Sequence, residues 1–216
     1  MTGSTGEAGG GRDAEPAVAV WFDLDGTLLH FDRPYEAVLR EAFGRHLDGA
    51  AVDRAVEAYD FLGRFRELEV EPYRAAMGAV VEAAGSDLDP SVLVGSLREV
   101  EYDATRVPSG TRETLAGIDA PLGVLTNGLP AWQRGKLAHR GLLESFDAVV
   151  ASYEAGGHKP DPAPFDLARE RLPADRYVMI GDDREADVEG ARDAGFEAVR
   201  APDGVAAVRA ELWDLL

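Results

Sequence analysis

The sequence predicts an α/β fold, a doubly wound parallel sheet that carries an all-helical insertion after its first strand. From residue 108 onward, short apolar strands alternate with helical segments, which is typical of proteins built around a parallel sheet. Between residues 31 and 107, Ala, Leu and Val recur at three- and four-residue spacing and indicate helices without a strand. The length of 216 residues suits one compact core with a modest insertion.

The elements are expected in the following order. Residues 1–16 are Gly-rich and polar and are interpreted as a flexible tail, and the apolar run at 17–22 predicts the first strand. Helices are expected at 34–47, 50–65, 71–84, 89–102, 110–118, 130–140, 162–172, 187–194 and 205–213. Further strands are expected at 121–126, 147–152, 176–181 and 197–200. This order predicts a core made of 17–30 and 108–216 and a helical cap made of 31–107.

The composition excludes several classes of function. Forty acidic residues against 22 basic ones give a net charge of −18, which argues against nucleic acid polymers and anionic membranes as partners. The chain has no Cys, so disulfides and thiolate chemistry are excluded. No apolar run approaches the roughly 18 residues of a membrane span, and no signal peptide is evident, so a cytoplasmic protein is expected. The oligomeric state stays open between monomer and homodimer.

The acidity also suggests an environment. Only two of the basic residues are Lys, and dense surface carboxylates keep a protein soluble where salt screening is severe. We therefore predict a halophilic protein. A GC-rich genome would explain the preference for Arg, but it explains the net charge less well.

Polar residues follow the predicted strands at their carboxyl ends, where ligands bind in doubly wound sheets. Asp-x-Asp pairs are expected by chance in so acidic a chain, but the first pair directly follows a buried strand. Lys159 carries a stronger signal, because a chain with two Lys rarely places one at a given site. The candidate site residues are Asp23, Asp25, Thr126, Asn127, Lys159, Asp182, Asp183 and Asp187.

Four motifs occur in a fixed order. They are Asp-x-Asp-Gly-Thr at 23–27, Thr-Asn at 126–127, Lys-Pro at 159–160 and Gly-Asp-Asp-x-x-x-Asp at 181–187. Together they resemble the haloacid dehalogenase (HAD) superfamily of hydrolases, over about 17–30 and 108–200. The resemblance implies a Rossmann-like core, a mobile helical cap, and a Mg²⁺-dependent phosphatase. The implied substrate is a small phosphorylated metabolite, such as a phosphoglycolate-like, sugar phosphate or nucleotide monophosphate ester.

The resemblance also implies catalytic roles. Asp23 would be the nucleophile that forms an aspartyl-phosphate, and Asp25 would protonate the leaving oxygen and later deprotonate water. Lys159 would neutralise the nucleophile and the phosphate. The Thr126 hydroxyl and a backbone amide near Asn127 would bind phosphoryl oxygens.

The metal site is implied in the same way. Mg²⁺ would be held by the Asp23 carboxylate, the Asp25 backbone carbonyl and Asp182, since Mg²⁺ takes a few carboxylates plus substrate oxygens. Asp183 and Asp187 would support these ligands or replace one of them. Because a carbon–halogen bond breaks without a proton for its leaving group, Asp25 favours phosphate chemistry over a 2-haloacid dehalogenase.

Other readings stay open. A phosphomutase of the same superfamily would return the phosphate to a sugar, and a non-catalytic phospho-receiver would hold it as a switch, although a receiver carries no cap. Trp21 and Trp132 are expected as core aromatics, and the four His show no metal-ligand spacing. Six cap side chains could face a substrate, although an exposed position is expected for each: Arg33, Tyr35, Arg64, Arg66, Tyr73 and Arg74.

Overall fold

The computed structural model describes residues 17–216, so the expected tail at 1–16 lies outside the described residues. Within this part of the chain, five strands form a parallel sheet: β1 (Val18–Phe22), β4 (Leu122–Thr126), β5 (Ala148–Ala151), β6 (Arg176–Gly181) and β7 (Glu197–Arg200). Their order in the sheet is β5-β4-β1-β6-β7. The central strand β1 pairs with β4 and β6, which confirms the predicted doubly wound sheet.

Two short strands were not expected. β2 (His30–Phe31) and β3 (Thr105–Arg106) pair antiparallel, so the prediction of no strand between residues 31 and 107 was wrong. Two-residue strands leave no alternating pattern to detect, because their pairing depends on where the helices place them. As a result, the chain enters and leaves the helical layer through adjacent strands.

The helices form two groups. The cap helices are α1 (Tyr35–Gly44), α2 (Gly49–Ala58), α3 (Phe61–Arg66), α4 (Pro72–Ala84) and α5 (Pro90–Asp103). The helices beside the sheet are α6 (Thr111–Ala116), α7 (Pro130–His139), α8 (Ser152–Ala155), α9 (Pro162–Arg171), α10 (Gly190–Asp193) and α11 (Arg209–Leu215). Several start with Pro in the first turn, where its missing N–H costs no hydrogen bond.

Three expected helices differ from the structure. The helix expected at 205–213 begins as a 3-10 turn at Val205–Val208 and becomes α-helical only in α11. The helix expected at 50–65 is two helices, because the chain turns at Tyr59 and the Asp60 carboxylate then caps α3 by accepting from the Gly63 N–H at 3.0 Å. The helix expected at 187–194 begins earlier, as a π-helical turn at Arg184–Glu189 that leads into α10.

The apolar side chains form three clusters. Two lie on opposite faces of the sheet, and one of them contains the fully buried Trp21, as predicted. The third lies among the cap helices and includes Leu97 and Val100 of α5. Trp132 of α7 joins this third cluster, so the cap is anchored to the core through an aromatic side chain. Within residues 17–216, no helix is both long and apolar enough to cross a membrane.

Candidate active site

The turn after β1 places the carboxylate of Asp23 near that of Asp182. Asp23 directly follows the strand, and the backbone of Leu24 accepts the N–H groups that close the turn. Gly26 has φ of +98°, and a Cβ there would lie 2.5 Å from Asp182 Oδ2, so a larger residue would displace that carboxylate. Thr27 Oγ1 donates to Asp182 Oδ1 at 3.1 Å. The tight turn therefore creates the space that Asp182 occupies.

Lys159 lies at the centre of the site with its side chain fully engaged. Its Nζ donates to Asp23 Oδ1 at 2.8 Å, to Asp187 Oδ1 at 2.6 Å and to the Leu125 carbonyl at 2.7 Å. The Asn127 side chain fixes the Lys159 backbone, accepting its N–H at 2.8 Å and donating to its carbonyl at 3.0 Å. One of the two Lys in the sequence is thus a buried cation, and the Asn127 side chain holds the backbone of that residue in place.

Three carboxylates lie close enough to share a cation. One oxygen each from Asp23, Asp182 and Asp187 falls within 4.8 Å of the other two. Burial raises the pKa of Asp23 to about 8, although Lys159 lowers it, and burial also raises the pKa of Asp182. When all three carboxylates are ionised, they exceed the charge of the Lys159 ammonium by two, and hard oxygen donors of this kind suit Mg²⁺. The residues present therefore fit a divalent cation.

Asp183 has a different task. Its Oδ1 accepts the N–H groups of Glu185 and Ala186, both at 2.8 Å, and caps the π-helical turn. It is exposed and stands outside the carboxylate cluster, whereas Asp187 is buried within it. Of the two alternative ligands that the sequence left open, Asp187 is the one placed beside Asp23 and Asp182.

Asp25 is held from α7 by two side chains that the motifs did not single out. Lys136 Nζ donates to Asp25 Oδ1 at 3.0 Å and to Oδ2 at 2.9 Å. Gln133 Nε2 donates to Asp25 Oδ2 at 3.0 Å and also to Thr126 Oγ1 at 3.0 Å. The scarcity of Lys was a signal for Lys136 as much as for Lys159, and Gln133 lies one helical turn before it.

The cap is connected to Asp25 through Glu101 of α5, which pairs with Lys136. Its buried carboxylate accepts from Lys136 Nζ at 2.7 Å, Trp132 Nε1 at 2.9 Å and the Tyr35 hydroxyl at 3.0 Å. Burial alone would lower the pKa of Lys136, but Asp25 and Glu101 outweigh it and raise that pKa above its usual value. A charged Lys136 thus joins a core carboxylate to a cap carboxylate.

Two cavities meet at these residues. A polar cavity of about 210 Å³ is lined by the carboxylates, Thr126 and Lys159. A larger cavity of about 420 Å³, called here the aromatic cavity, lies between α7 and the cap, and seven of its 16 lining residues are aromatic. Asp25 and Asn127 line both cavities, so they mark the boundary between them.

The cap side chains correct part of the sequence interpretation. Tyr35 and Tyr73 line the aromatic cavity, so the exposed position expected for each was wrong. Trp132 is buried as expected, but it forms a wall of that cavity. The four candidate arginines of the cap lie outside the lining: Arg33 and Arg64 pair with nearby carboxylates, and Arg66 and Arg74 are exposed.

His158 contacts both the core and the cap. Its Nδ1 lies 2.8 Å from Ser152 Oγ and its Nε2 lies 2.8 Å from the Phe65 carbonyl. The imidazole also stacks on the Phe65 ring, with centroids 4.1 Å apart. Since Phe65 belongs to α3, His158 connects the loop before Lys159 to the cap.

Comparison with known proteins agrees with this fold and site. The profile of haloacid dehalogenase-like hydrolases matches residues 18–195, and the chain belongs to this family. The glyceraldehyde 3-phosphate phosphatase of Methanocaldococcus jannaschii is 29% identical over 86% of this chain and 85% of its own. The pyrimidine 5′-nucleotidase YjjG of Escherichia coli is 28% identical over 82% of each chain.

A solved structure extends the likeness to three dimensions. A HAD hydrolase of Bacillus subtilis, determined with magnesium, matches with a TM-score of 0.68 at 22% identity and covers 94% of this chain and 99% of its own. At 22% identity, this match supports the fold alone. The predicted HAD-like core with a helical cap is therefore confirmed.

Proposed function

We propose that this protein is a Mg²⁺-dependent phosphatase that hydrolyses a small phosphorylated metabolite through an aspartyl-phosphate on Asp23. The supporting observation is the buried Lys159 ammonium, 2.8 Å from Asp23 and 2.6 Å from Asp187, beside carboxylates close enough to share a cation. The named activities of the relatives, which act on a triose phosphate and on pyrimidine nucleotides, support the phosphatase class.

In the first step, an Asp23 carboxylate oxygen attacks the phosphorus of the substrate, and the bond from phosphorus to the ester oxygen breaks. Asp25 donates its proton to that oxygen, so the alcohol leaves neutral. The Lys159 ammonium and the Thr126 hydroxyl line the same cavity and stabilise the charge on the phosphoryl oxygens. Lys136 and Gln133 fix the direction in which Asp25 points.

In the second step, Asp25 is a carboxylate and takes a proton from water while the water oxygen attacks the phosphorus. The bond from Asp23 to phosphorus breaks, inorganic phosphate leaves, and the Asp23 carboxylate is restored. Asp25 is protonated again and ready for the next substrate. Each proton that leaves Asp25 in the first step thus returns in the second.

Asp23, Asp182 and the Asp25 backbone carbonyl would hold the Mg²⁺, with Asp187 supporting or replacing one of them. When bound, the ion neutralises the carboxylates that would otherwise repel a phosphate and stabilises charge on the transferred group. Asp187 also accepts the Asp183 N–H at 3.0 Å, so its orientation is fixed from two sides.

The domain boundaries belong to the same proposal. A core of 17–30 and 108–216 would carry the chemistry, and a cap of 31–107 would close over the substrate and exclude water. A cytoplasmic location, a monomer or homodimer, and the lack of nucleic acid or membrane partners stay predictions from the composition.

The test is the release of phosphate from 4-nitrophenyl phosphate, measured with Mg²⁺ and with EDTA. We expect activity only with Mg²⁺, and Asp23→Asn should lower kcat by about 10⁴-fold or more, because the nucleophile is lost. The exposed Asp203→Asn is the matched control and should keep wild-type activity. Wild-type turnover by Asp23→Asn would refute the mechanism. Chloride release from a 2-haloacid in EDTA would instead favour a dehalogenase, and phosphate returned to a sugar would favour a mutase.

A further inference from the structure

The aromatic cavity adjoins the polar cavity and offers space for the rest of a substrate. Asp25 and Asn127 line both cavities. When the phosphoryl group of a substrate lies beside Asp23 and Lys159, the rest of the substrate can extend past these two residues into the aromatic cavity. On the far side the space is about 420 Å³, within the usual range for a site that encloses a small ligand. The side chains of this cavity therefore act on the leaving group.

Its walls are aromatic rings that already pack on one another. The Tyr73 ring stacks on Trp132 with centroids 3.8 Å apart and on Phe61 at 4.2 Å. Phe61 in turn stacks on Phe65 at 5.4 Å, and Tyr59 lies parallel to Phe61 at 6.3 Å. Tyr73 thus lies between Trp132 and Phe61, with a ring on each of its faces. Because these rings support each other, the wall is ordered before a ligand arrives, which lowers the entropy cost of binding.

The charges of the lining disfavour an anionic leaving group. Among the described residues that line this cavity, Lys136 is the only cation, and it is already engaged by Asp25 and Glu101. Asp60 adds a third carboxylate to the lining. A carboxylate on the substrate would lose its hydration here and meet negative charges without a free cation, which is costly in a buried site.

The polar groups of the wall are mostly satisfied. Glu101 accepts from Tyr35, Trp132 and Lys136, and it offers little to a ligand rich in hydroxyl groups. The buried Tyr59 hydroxyl has no hydrogen-bond partner of ordinary geometry within the described part of the chain. The cavity thus presents a mainly apolar surface to a ligand.

Resting on the proposed phosphatase function, we propose that the leaving group is uncharged and carries a flat ring, as in a nucleoside 5′-monophosphate or an aryl or benzyl phosphate. The ring packs against the Tyr59, Phe61 and Tyr73 wall, and the phosphoryl group lies at Asp23. Phosphate esters with a carboxylate, such as phosphoglycolate, are poor substrates because the lining holds no free cation.

Matched substrate pairs test this with the full-length protein and Mg²⁺. Uridine 5′-monophosphate is compared with ribose 5-phosphate, and benzyl phosphate with ethyl phosphate, since each pair differs by the ring while the scissile ester is alike. We expect kcat/KM at least about tenfold higher for the ring-bearing member, and lowest for phosphoglycolate. A preference in the nucleotide pair alone identifies a nucleotide, and one in the benzyl pair alone identifies the phosphate of a small aromatic alcohol. Equal values in both pairs, or a preference for phosphoglycolate, would overturn the proposal.

A variant separates this proposal from the phosphatase function itself. Phe61→Leu should raise KM for the ring-bearing substrates about tenfold and leave inhibition by inorganic phosphate unchanged, because phosphate occupies only the polar cavity. Trp213→Leu, which changes an aromatic residue away from both cavities, is the control and should alter neither value. If Phe61→Leu leaves KM unchanged, the ring site is wrong. If the wild type hydrolyses none of the five phosphates, the proposed function fails instead.

Discussion

The two cavities at the active site are built on different principles. The polar cavity is made from residues at the ends of neighbouring strands, with Lys159 and carboxylates at hydrogen-bond distance. The aromatic cavity is made from α7 and the cap, and its walls are stacked rings around the Lys136–Glu101 pair. Each cavity therefore holds one of the only two Lys in the sequence, in a different setting.

We infer that the polar cavity carries out the phosphoryl transfer, whereas the aromatic cavity determines which leaving group is accepted. The polar cavity has the charges that a phosphoryl group and a divalent cation require, and these requirements do not depend on the leaving group. The aromatic cavity has an apolar surface whose shape and charge depend on helices that lie outside the sheet. The two parts meet at Asp25, which the core positions by its turn and α7 holds by hydrogen bonds.

The largest effect is expected from Lys159→Met. Loss of the ammonium removes the counter-charge of Asp23 and of the phosphoryl oxygens, so kcat should fall by about 10³-fold. Phosphate release gives the rate, and circular dichroism with Mg²⁺ present checks that the variant folds. Lys136→Met is the matched control, because it removes the other buried Lys. A larger loss in Lys136→Met would show that the chemistry depends mainly on the aromatic side.

Lys136→Met should have a smaller effect that depends on the leaving group. Lys136 holds Asp25, the proposed acid, and an alkoxide needs its proton far more than a nitrophenolate does. We expect a loss of about 100-fold with ethyl phosphate and less than about tenfold with 4-nitrophenyl phosphate. Equal losses with both substrates would contradict a role for Lys136 in positioning the acid.

Mg²⁺ should raise the melting temperature of the protein, and more so at higher pH. Since burial raises the pKa of Asp23 from 3.8 to about 8, its contribution to the stability of the metal-free protein is fully present below about pH 4 and is lost progressively as the pH rises to about 8. Protons and the ion compete for the same carboxylates, so the gain should be largest above pH 8 and shrink toward pH 6. At saturation we expect a rise of roughly 5–10 °C by thermal denaturation.

Variants of Asp182 and Asp183 test which carboxylates bind the ion that raises the melting temperature. Asp182→Asn should abolish the rise with Mg²⁺, whereas Asp183→Asn should keep it, because Asp183 caps a turn outside the cluster. Loss of the rise in Asp183→Asn alone would mean that the metal lies elsewhere.

The smallest effect is expected from salt. A net charge of −18 means that carboxylates repel one another across the surface, and KCl screens this repulsion. Raising KCl from about 0.1 M to 2 M should increase the melting temperature by a few degrees if the protein is adapted to salt. Full stability in dilute buffer with no gain from KCl would contradict the halophilic prediction.

The polar cavity was largely predictable from the sequence. Its residues lie at the ends of strands of a parallel sheet or in the segments that follow them, and the carboxyl ends of such strands meet at one edge. Lys159 could be singled out because the chain has so few Lys. The choice between Asp183 and Asp187 could not be made, because it depends on how the π-helical turn directs the two side chains.

The aromatic cavity was not predictable in the same way. Asp25 and Lys136 are 111 residues apart, and Glu101 meets Lys136 only because α5 packs beside α7. Helical spacing identifies Tyr35 and Tyr73 as cap residues but does not say which face of their helices meets the core. The break at Tyr59, which directs α3 toward the site, was also missed.

Sequence alone determined the fold class, the order of the motifs and the charged residues of the polar cavity. These depend on local patterns and on a general rule of sheet topology. Tertiary structure alone decided which side chains hold Asp25 and which rings surround the leaving group. Those contacts join the cap to the core across long stretches of chain, and packing between helices, rather than any local pattern, selects them.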